Sequence, residues 1–275
     1  MKKLLFIYSL LLCLFHPQEL FATAQYGEML FMDGRWYSMF SDPLSLSTER
    51  LDTLVQEKVN MEMSSSALWR GYIGYWSIVD KTLYLDSIHI NHNYIDDTYE
   101  TIIAKDSPLF TKYKDSHGIS ASWMNDTIRV ISGKIVKYVH MGWESIYEHE
   151  QYFSLENGEI TGRTNLEYRL ITNGIYEGKN GKKFTNSIVN KFKDVQGSMT
   201  VQCDILEFSK KGKAKKVSVE ILHTQNTIGK ETKEQIEKAI ADYMLSHNIV
   251  PVYQCNGVYQ SDKQFVWLKF PEIIK

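Results

Sequence analysis

A group of His and Glu side chains lies in the segment 140–151, which reads HMGWESIYEHEQ. If the segment were helical, His140, Glu144 and Glu148 would lie on one helix face and could together hold a metal ion. The preceding residues, KIVKYVH, alternate as in a strand, however, and Gly142 would interrupt a helix. These features favour a strand, and a helical metal site is not predicted.

Two further histidine patterns resemble parts of metal sites without completing one. His149-Glu150 begins like the zinc-protease motif H-E-x-x-H, but residue 153 is Phe, so a required ligand is missing. A loop site is conceivable in the segment HINHNYIDD, whose potential ligands are His89, His92, Asp96 and Asp97. A histidine pair without further ligand spacing is more often an ordinary exposed pair than a metal site. No metal is predicted.

The common signatures of nucleophilic and nucleotide chemistry are absent from the sequence. It has no G-x-S-x-G nucleophile elbow and no G-x-G-x-x-G dinucleotide fingerprint. Gly181-Lys182 is followed by Lys183 instead of Ser or Thr, which excludes a P-loop there. Because catalytic groups can converge from distant strands, these absences favour a non-enzymatic protein without excluding an enzyme. No cofactor is predicted.

Aromatic residues are concentrated in the stretch LWRGYIGYWSIVDKTLYL, residues 68–85. In a strand, Tyr72 and Trp76 point to one face while Tyr75 points to the other, so both faces carry rings. We therefore predict a central strand, covered on both faces, whose rings fill the core, with a ligand platform as the alternative. The guanidinium of Arg70 should stack on a ring or pair with a carboxylate.

Candidate binding residues come from this stretch and from the segment 140–151. They are Arg70, Tyr72, Trp76, His140, Glu144, Tyr147 and Glu148. Gly71 and Gly74 leave room in the strand for a bulge or a close neighbour. One hypothesis for these residues is an envelope-polysaccharide- or peptidoglycan-associated binding protein or hydrolase, with a site around Arg70, His140, Glu144 and Glu148.

Turn signals divide the first part of the chain into short strands. Asp33-Gly34 and Asn157-Gly158 each separate two apolar-rich runs, which predicts hairpins, because both positions of such a turn need a positive φ. Further turns are predicted at Asp80-Lys81, Asn125-Asp126 and Ser132-Gly133. Together these signals indicate a β-rich antiparallel meander, either a single sheet or a sandwich-like fold.

One short amphipathic helix interrupts this series of strands. Leu51, Leu54, Val55 and Val59 have helical spacing, and polar residues suited to capping precede them.

The last part of the chain, residues 195–275, has a β-β-α-β order typical of a small α+β unit. Val201, Cys203 and Ile205 alternate as a strand, the basic turn KKGKAKK follows, and a second alternating run returns. The final strand is predicted from Phe265 to Phe270, after a turn at Asn256-Gly257.

The helix of this unit is predicted from one apolar stripe. Its members are Ile236, Ala239, Ile240, Tyr243 and Met244. Thr232 and Gln235 have the spacing of a capping box at its start.

The first 24 residues predict export. Lys2 and Lys3 precede an apolar run that is too short to span a bilayer, and Ala22-Thr23-Ala24 supplies the small residues that signal peptidase recognises. We expect a mature chain that begins at Gln25, resides in the periplasm or outside the cell, and has no stable membrane insertion. Its 29 basic and 32 acidic residues give a net charge of −3, which predicts no affinity for nucleic acid.

The mature chain is divided into three predicted parts. A β-rich domain covers residues 25–172, a Gly- and Lys-rich linker covers 173–194, and the α+β domain covers 195–275. Cys203 and Cys255 are the cysteines that remain after cleavage. In an oxidising compartment they form either a disulfide or two separate thiols, and their spacing does not decide between these states.

Three segments of the first part resemble an uncharacterised family of exported bacterial proteins. They are DGRWYSMFSDPL (33–44), LWRGYIGYWSIVDKTLYL (68–85) and KYVHMGWESIYEHE (137–150), and they occur in the order of that family. The resemblance carries no activity with it.

Residues 195–275 weakly resemble the C-terminal domain of TonB energy transducers. The similarity lies in the hairpin turned at Gly212, the amphipathic helix, Asn256-Gly257 and the final aromatic strand. The resemblance implies a module that binds an extended peptide of an envelope protein by adding a strand to an exposed sheet edge. The chain departs from a transducer because it lacks a spanning N-terminal helix and a proline-rich spacer, with five Pro in all. The leading hypothesis is therefore a non-enzymatic protein- or peptide-binding protein.

Overall fold

A computed structural model describes residues 25–57, 66–93, 98–140, 142–176, 179–247 and 249–271. The chain divides into two compact units. The first contains the described residues through Val130 together with Tyr138–Ser145 and Tyr152–Arg163. The second contains Ile131–Lys137, Ile146–Gln151 and the residues from Thr164 onward. Three strands, introduced below, contribute residues to both units.

The first unit is built on a mostly antiparallel sheet with the strand order β2-β1-β3-β4-β5. Its strands are β1 (Glu28–Met32), β2 (Arg35–Met39), β3 (Tyr72–Val79), β4 (Thr82–Asn93) and β5 (Thr98–Ile103). The pairing of β1 with β3 is parallel, whereas β1–β2, β3–β4 and β4–β5 are antiparallel. The sequence pattern did not indicate this parallel pairing, because the two strands are separated by a long stretch of chain.

The predicted two-residue hairpin turns are confirmed by their backbone angles. Asp33 and Gly34 have φ values of 50° and 76°, and Asn157 and Gly158 have values of 49° and 79°. The turn at Asp80-Lys81 also has two positive φ angles. Left-handed residues at both central positions match the twist of the flanking strands, so these short loops fix the register of the hairpins.

The core of the first unit lies against one face of its sheet. Tyr72 and Trp76 are fully buried there, together with Leu51 and Val55 of helix α1 (Leu51–Gln56). The central position of β3, between β1 and β4, confirms the sequence prediction. The prediction that both faces of β3 are covered holds only in part, because on the face opposite the core Ile73 is buried while Tyr75 is half-buried and Val79 is 38% exposed. Val59, the last predicted helical residue, lies outside the described residues.

Two predicted turns in the middle of the chain are corrected. β6 (Ile119–Ser120) pairs with β4, so no hairpin forms at Asn125-Asp126. Gly133 has a φ of 81° but lies inside the continuous strand β7 (Thr127–Lys137). A single left-handed glycine within a strand is better explained by a local bulge than by a chain reversal.

Three long strands are shared by the two units. β7 (Thr127–Lys137), β8 (Ile146–Glu156) and β9 (Glu159–Thr172) each contribute residues to both. Within the second unit, β9 pairs with β12 (Val252–Cys255), which also pairs with β13 (Val258–Ser261) through the turn at Asn256-Gly257.

The second unit also contains a three-stranded antiparallel sheet with the order β11-β10-β14. Its strands are β10 (Gly197–Phe208), β11 (Ala214–Thr224) and β14 (Gln264–Phe270). Helix α3 (Lys230–Ser246) follows β11, and helix α2 (Lys179–Val189) precedes β10.

Helix α2 lies within the segment that was predicted to be a linker, and its Phe184 and Ile188 are buried in the core of the second unit. This apolar pair was overlooked because Gly178 and Gly181 were interpreted as breaks. The predicted domain boundaries themselves stay a prediction.

The apolar stripe of helix α3 is buried as expected, with Ile236, Ile240 and Met244 in the core. The predicted capping box is wrong. The helix begins at Lys230 after Gly229, no side chain caps it, and Gln235 Nε2 donates to Glu231 Oε1 at 3.3 Å instead.

Cys203 is buried and Cys255 is half-buried, and neither thiol is bridged. The disulfide alternative is therefore not the state of this structure. Among the described residues, no helix is long and apolar enough to cross a membrane.

Candidate functional site

Arg70, the sequence-predicted residue with the most specific expectation, is completely buried in the first unit. Its Nη2 lies 3.4 Å from Oε1 of the equally buried Glu28 and donates to the carbonyl oxygen of Tyr26 at 3.1 Å. Its Nε lies 4.0 Å from Oδ2 of Asp42. The guanidinium carbon is also 5.2 Å from the ring centre of Trp143. Arg70 therefore both pairs with carboxylates and stacks on a ring, as expected.

Tyr72 and Trp76 complete this buried network. The hydroxyl of Tyr72 donates to Oδ1 of Asp42 at 2.9 Å, and Nε1 of Trp76 donates to Oε2 of Glu28 at 2.6 Å. A side chain at Gly74 would collide with this second bond, because its Cβ would stand 2.0 Å from Oε2 of Glu28. Glycine at position 74 therefore allows the carboxylate and the indole to meet, as its position in the strand suggested.

Electrostatics in the network are dominated by burial. Burial raises the pKa of Glu28 to about 7, although Arg70 lowers it, and burial likewise raises the pKa of Asp42. Nε and Nη1 of Arg70 have no hydrogen-bond partner among the described residues. Because a buried unpaired polar atom costs free energy, these atoms lower the free energy of unfolding of the first unit. It is closed to solvent, so it organises the first unit and does not present a surface site.

The remaining predicted site residues are distributed over both units. His140 and Glu144 are exposed in the first unit, where Nδ1 of His140 lies 2.7 Å from the hydroxyl of Tyr138. Tyr147 and Glu148 belong to the second unit, and Oε2 of Glu148 accepts a bond from the backbone N–H of Lys134 at 2.8 Å.

Among the described residues no group of three or more His, Cys, Asp or Glu side chains could hold a metal ion. The side chain of His92 and the residues Asp96 and Asp97 lie outside the described part of the chain.

A cleft of about 570 Å³ lies at the C-terminal end of α3 in the second unit. Its lining includes Lys183, Lys213 and His247 together with apolar side chains. Carbonyl groups at a helix C-terminus carry partial negative charge, which nearby cations stabilise. The basic side chains are therefore explained by the helix end, and the cleft is not the favoured site.

The outer edge of β14 is the surface of the second unit best suited to bind another chain. β14 pairs with residues 197–203 of β10 in an unbroken antiparallel register, from Gly197 opposite Phe270 to Cys203 opposite Gln264. In the described part of the chain, no strand pairs with its other side. The backbone N–H and C=O groups along the edge of a sheet form a template for a further strand.

The opposite edge of the same sheet is formed by β11 and is poorly suited to pair with a further strand. Its register with β10 shifts between Thr200 and Val201 and twice more near Glu207. It also carries Lys215 and Lys216, which are exposed. Bulges and edge lysines are the usual means by which proteins prevent edge-to-edge pairing. β14 also carries one exposed lysine, Lys269, but it has no bulge, so its register is the more regular of the two edges.

Two large aromatic side chains stand exposed on β14. Phe265 is 56% exposed and Trp267 is 63% exposed, on the sheet face opposite the core. Their neighbours on β10 are Gln202 and Thr200, which are small or uncharged and leave the rings uncovered. Exposed aromatic side chains beside a sheet edge are typical of an interaction surface.

The other face of β14 is anchored in the core. Val266, Leu268 and Phe270 are buried and belong to the same cluster as Ile236 and Ile240 of α3. Burying a side chain of this kind contributes roughly 1.5–3 kcal/mol, so the strand presents its aromatic face from a rigid support.

Comparison with protein-family models, with curated proteins and with solved structures finds no match for this chain. Its surfaces are therefore interpreted from their own geometry.

Sequence reasoning predicted β14 as a strand but did not select Phe265 or Trp267 as site residues. In QFVWLKF both alternating sets are largely apolar, so the pattern does not reveal which set is buried. Lys269 could have identified the exposed set, because a lysine favours the solvent side and Lys269 shares a face with Phe265 and Trp267.

Proposed function

We propose that this protein is an exported, non-enzymatic binding protein whose second unit captures an extended peptide segment of another protein. The peptide adds as a further strand to the outer edge of β14. The observation that carries the proposal is the bulge-free edge of β14 with Phe265 and Trp267 exposed beside it. In strand addition the backbone bonds supply affinity, and side chains at alternate positions supply specificity.

The resemblance of residues 195–275 to the TonB C-terminal domain supports the same binding mode, because those domains also use a sheet edge. The expected signal peptide supports a partner in the cell envelope. Neither argument extends to energy coupling.

The charges around β14 suggest the chemistry of the peptide. Lys263 and Lys269 are exposed near the two ends of the strand. An extended segment with apolar side chains facing Phe265 and Trp267, and an acidic residue near either end, complements this surface. We therefore propose a partner segment that is apolar in its centre and acidic at its margins.

The first test uses residues 25–275 and a displayed library of random linear peptides. We expect selected peptides to bind and to slow hydrogen exchange of the amides in β14, because a new strand pairs with that edge. Trp267→Ala should weaken binding about tenfold, the effect expected when one large exposed ring loses its contact. Calorimetric titration of the selected peptide measures the change.

Trp69→Ala is the matched control, because Trp69 is 57% exposed but lies in the first unit. It should leave peptide affinity unchanged. Peptides that bind without protecting β14, or that bind the Trp267→Ala protein as tightly, contradict the proposal.

A hydrolase centred on Arg70, His140, Glu144 and Glu148 is not favoured. Arg70 is completely buried, and Glu148 accepts a backbone bond in the second unit while His140 and Glu144 are exposed in the first. A residue that binds the substrate must be able to contact it, and the guanidinium of Arg70 is completely buried.

A further inference from the structure

A continuous row of rings crosses the sheet of the first unit on the face opposite the core. Its members, in spatial order, are Trp36, Phe31, Tyr75, His89 and Tyr99, one from each of five neighbouring strands. The ring centres of Phe31 and Trp36 are 5.2 Å apart, and those of Trp36 and Tyr75 are 5.3 Å apart. His89 lies 3.9 Å from both Tyr75 and Tyr99.

Part of this row serves the sheet itself. Tyr75, His89 and Tyr99 face one another at short distances, as cross-strand aromatic pairs do when they stabilise neighbouring strands. That role does not account for the ends of the row. Trp36 is 48% exposed and Tyr99 is 46% exposed, and the indole of Trp36 is turned 77° from the ring of Tyr75.

A β-bulge places a carboxylate beside the rings. The register of β3 and β4 shifts between Tyr75 and Trp76, which leaves Asp86 as the extra residue between Leu85 and Ser87. Oδ1 of Asp86 accepts a bond from Ser77 Oγ at 3.0 Å. Ser77 is two residues from Tyr75 and shares its face. Bulges commonly redirect a side chain next to a functional site, and this one turns a hydrogen-bond acceptor towards the aromatic row.

Apart from Asp86, the side chains that the registers place around the rings are uncharged and rich in hydroxyl groups. The registers place Ser38, Ser77, Ser87 and Thr101 on this face. Among the described residues that these registers put on the same face as the row, no Lys or Arg occurs, because Arg35 next to Trp36 lies on the other face against Tyr37. Binding of a nucleic acid or another polyanion needs cations for its phosphates, so such a ligand does not fit this surface.

We propose that this face of the first unit binds a neutral polysaccharide laid across the strands. The rings contact the apolar C–H faces of the sugars, while Asp86 and the surrounding hydroxyl groups bond to the sugar hydroxyls. Five strands at about 4.8 Å spacing give a track of about 19 Å, which suits a chain of several sugars and not a single one. The row lies in the first unit and β14 in the second, so loss of binding at one surface would not test the proposal for the other.

The test uses residues 25–275 and four purified glycans: laminarin, cellohexaose, maltohexaose and insoluble chitin. Affinity electrophoresis, calorimetry and a pelleting assay measure binding. At least one of them should bind. Trp36→Ala and Asp86→Ala should each weaken that binding about tenfold, the effect of losing one ring contact or one set of hydrogen bonds to a carboxylate.

Trp69→Ala supplies the matched control, since its exposed indole lies outside the row, and it should bind normally. Trp36→Phe keeps a ring in place, so it should retain more affinity than Trp36→Ala even if the smaller side chain loosens the sheet. Circular dichroism of each variant monitors folding.

The proposal is overturned if none of the four glycans binds, or if Trp36→Ala and Asp86→Ala bind as tightly as the unaltered protein. It is also overturned if the row instead mediates self-association. In that case sedimentation would show a concentration-dependent dimer that Trp36→Ala abolishes, with no glycan binding.

Discussion

Glu28 and Asp42 share the single guanidinium of Arg70 inside the core of the first unit. If both carboxyl groups ionise, the cluster carries a net negative charge without solvent to screen it. Burial therefore favours the protonated form of one acid near neutral pH, which agrees with the raised pKa of Glu28, about 7. The network specifies how β1 and β3 meet, and its energetic contribution depends on pH.

The sign of this dependence follows from the raised pKa. Glu28 titrates near 4.5 when unfolded and near 7 when folded, so its stabilising effect is complete below pH 4.5 and is lost as the pH rises through 7. We expect the free energy of unfolding of the first unit to fall by about 3 kcal/mol over this range. Glu28→Gln should flatten the profile, because its amide oxygen still accepts from Trp76 but does not titrate.

Urea denaturation between pH 5 and pH 8, followed by tryptophan fluorescence, measures this profile. Glu156→Gln is the matched control, because Glu156 is exposed in the same unit and should leave the slope unchanged. An unchanged slope for Glu28→Gln would show that Glu28 does not govern the pH dependence.

At this scale the sequence predicted the behaviour of Arg70 but not the identity of its partners. A guanidinium among rings requires a carboxylate or a ring face, and this requirement is local. Glu28 and Asp42 reach it through the parallel pairing of β1 with β3 and through the loop after β2. Which carboxylates contact Arg70 depends on the tertiary packing of distant segments. No local pattern in a single sequence predicts that packing.

The elements that the sequence predicted correctly are those that a short, local residue pattern specifies. Hairpins at Asp33-Gly34 and Asn157-Gly158 follow from the need for positive φ, and α3 follows from its apolar stripe. β14 was predicted as a strand, but its exposed face was not, because both sets of its alternating residues are apolar. Helix α2 was missed because its glycines outweighed the spacing of Phe184 and Ile188.

The start of α3 offers a direct test of helix capping. Gly229 precedes the helix with φ −64° and ψ 150°, angles that any residue adopts, and provides no side-chain acceptor for the first amides. A Cβ at this position would meet nothing closer than Oγ1 of Thr232 at 3.9 Å. Gly229→Asp should therefore stabilise the second unit by about 1 kcal/mol through capping, the helix dipole and reduced unfolded-state entropy.

Hydrogen exchange of the α3 amides and the urea midpoint of the second unit measure this gain. Gly229→Ala is the control, because it reduces the unfolded-state entropy but adds no acceptor, and it should stabilise the second unit less than Gly229→Asp does. Equal stabilisation by both variants would assign the effect to chain entropy and contradict the capping explanation.

On the scale of the whole molecule, two hydrophobic cores provide the stability, without a covalent link between Cys203 and Cys255. Burial also raises the pKa of the Cys203 thiol to about 12, which leaves almost no reactive thiolate at neutral pH. Cys255 is half-buried and lacks this degree of protection.

Maleimide labelling of residues 25–275 without reductant tests this state. In native conditions one label should attach readily at Cys255, and a second should attach only after denaturation, because Cys203 is buried. Cys255→Ser should abolish the rapid label. If denatured, unreduced protein accepts no label, the two cysteines are bridged in solution.

Three strands are shared by the two units, and this limits how either proposed binding surface could be moved into another protein. β7, β8 and β9 each begin in one unit and end in the other, so the polypeptide crosses the border repeatedly. Cutting the chain at any single position therefore cannot separate two complete units. A fragment that starts at residue 195, for example, lacks β9, with which β12 pairs. Gene fusions that move such surfaces between proteins should therefore carry both units together as one cassette.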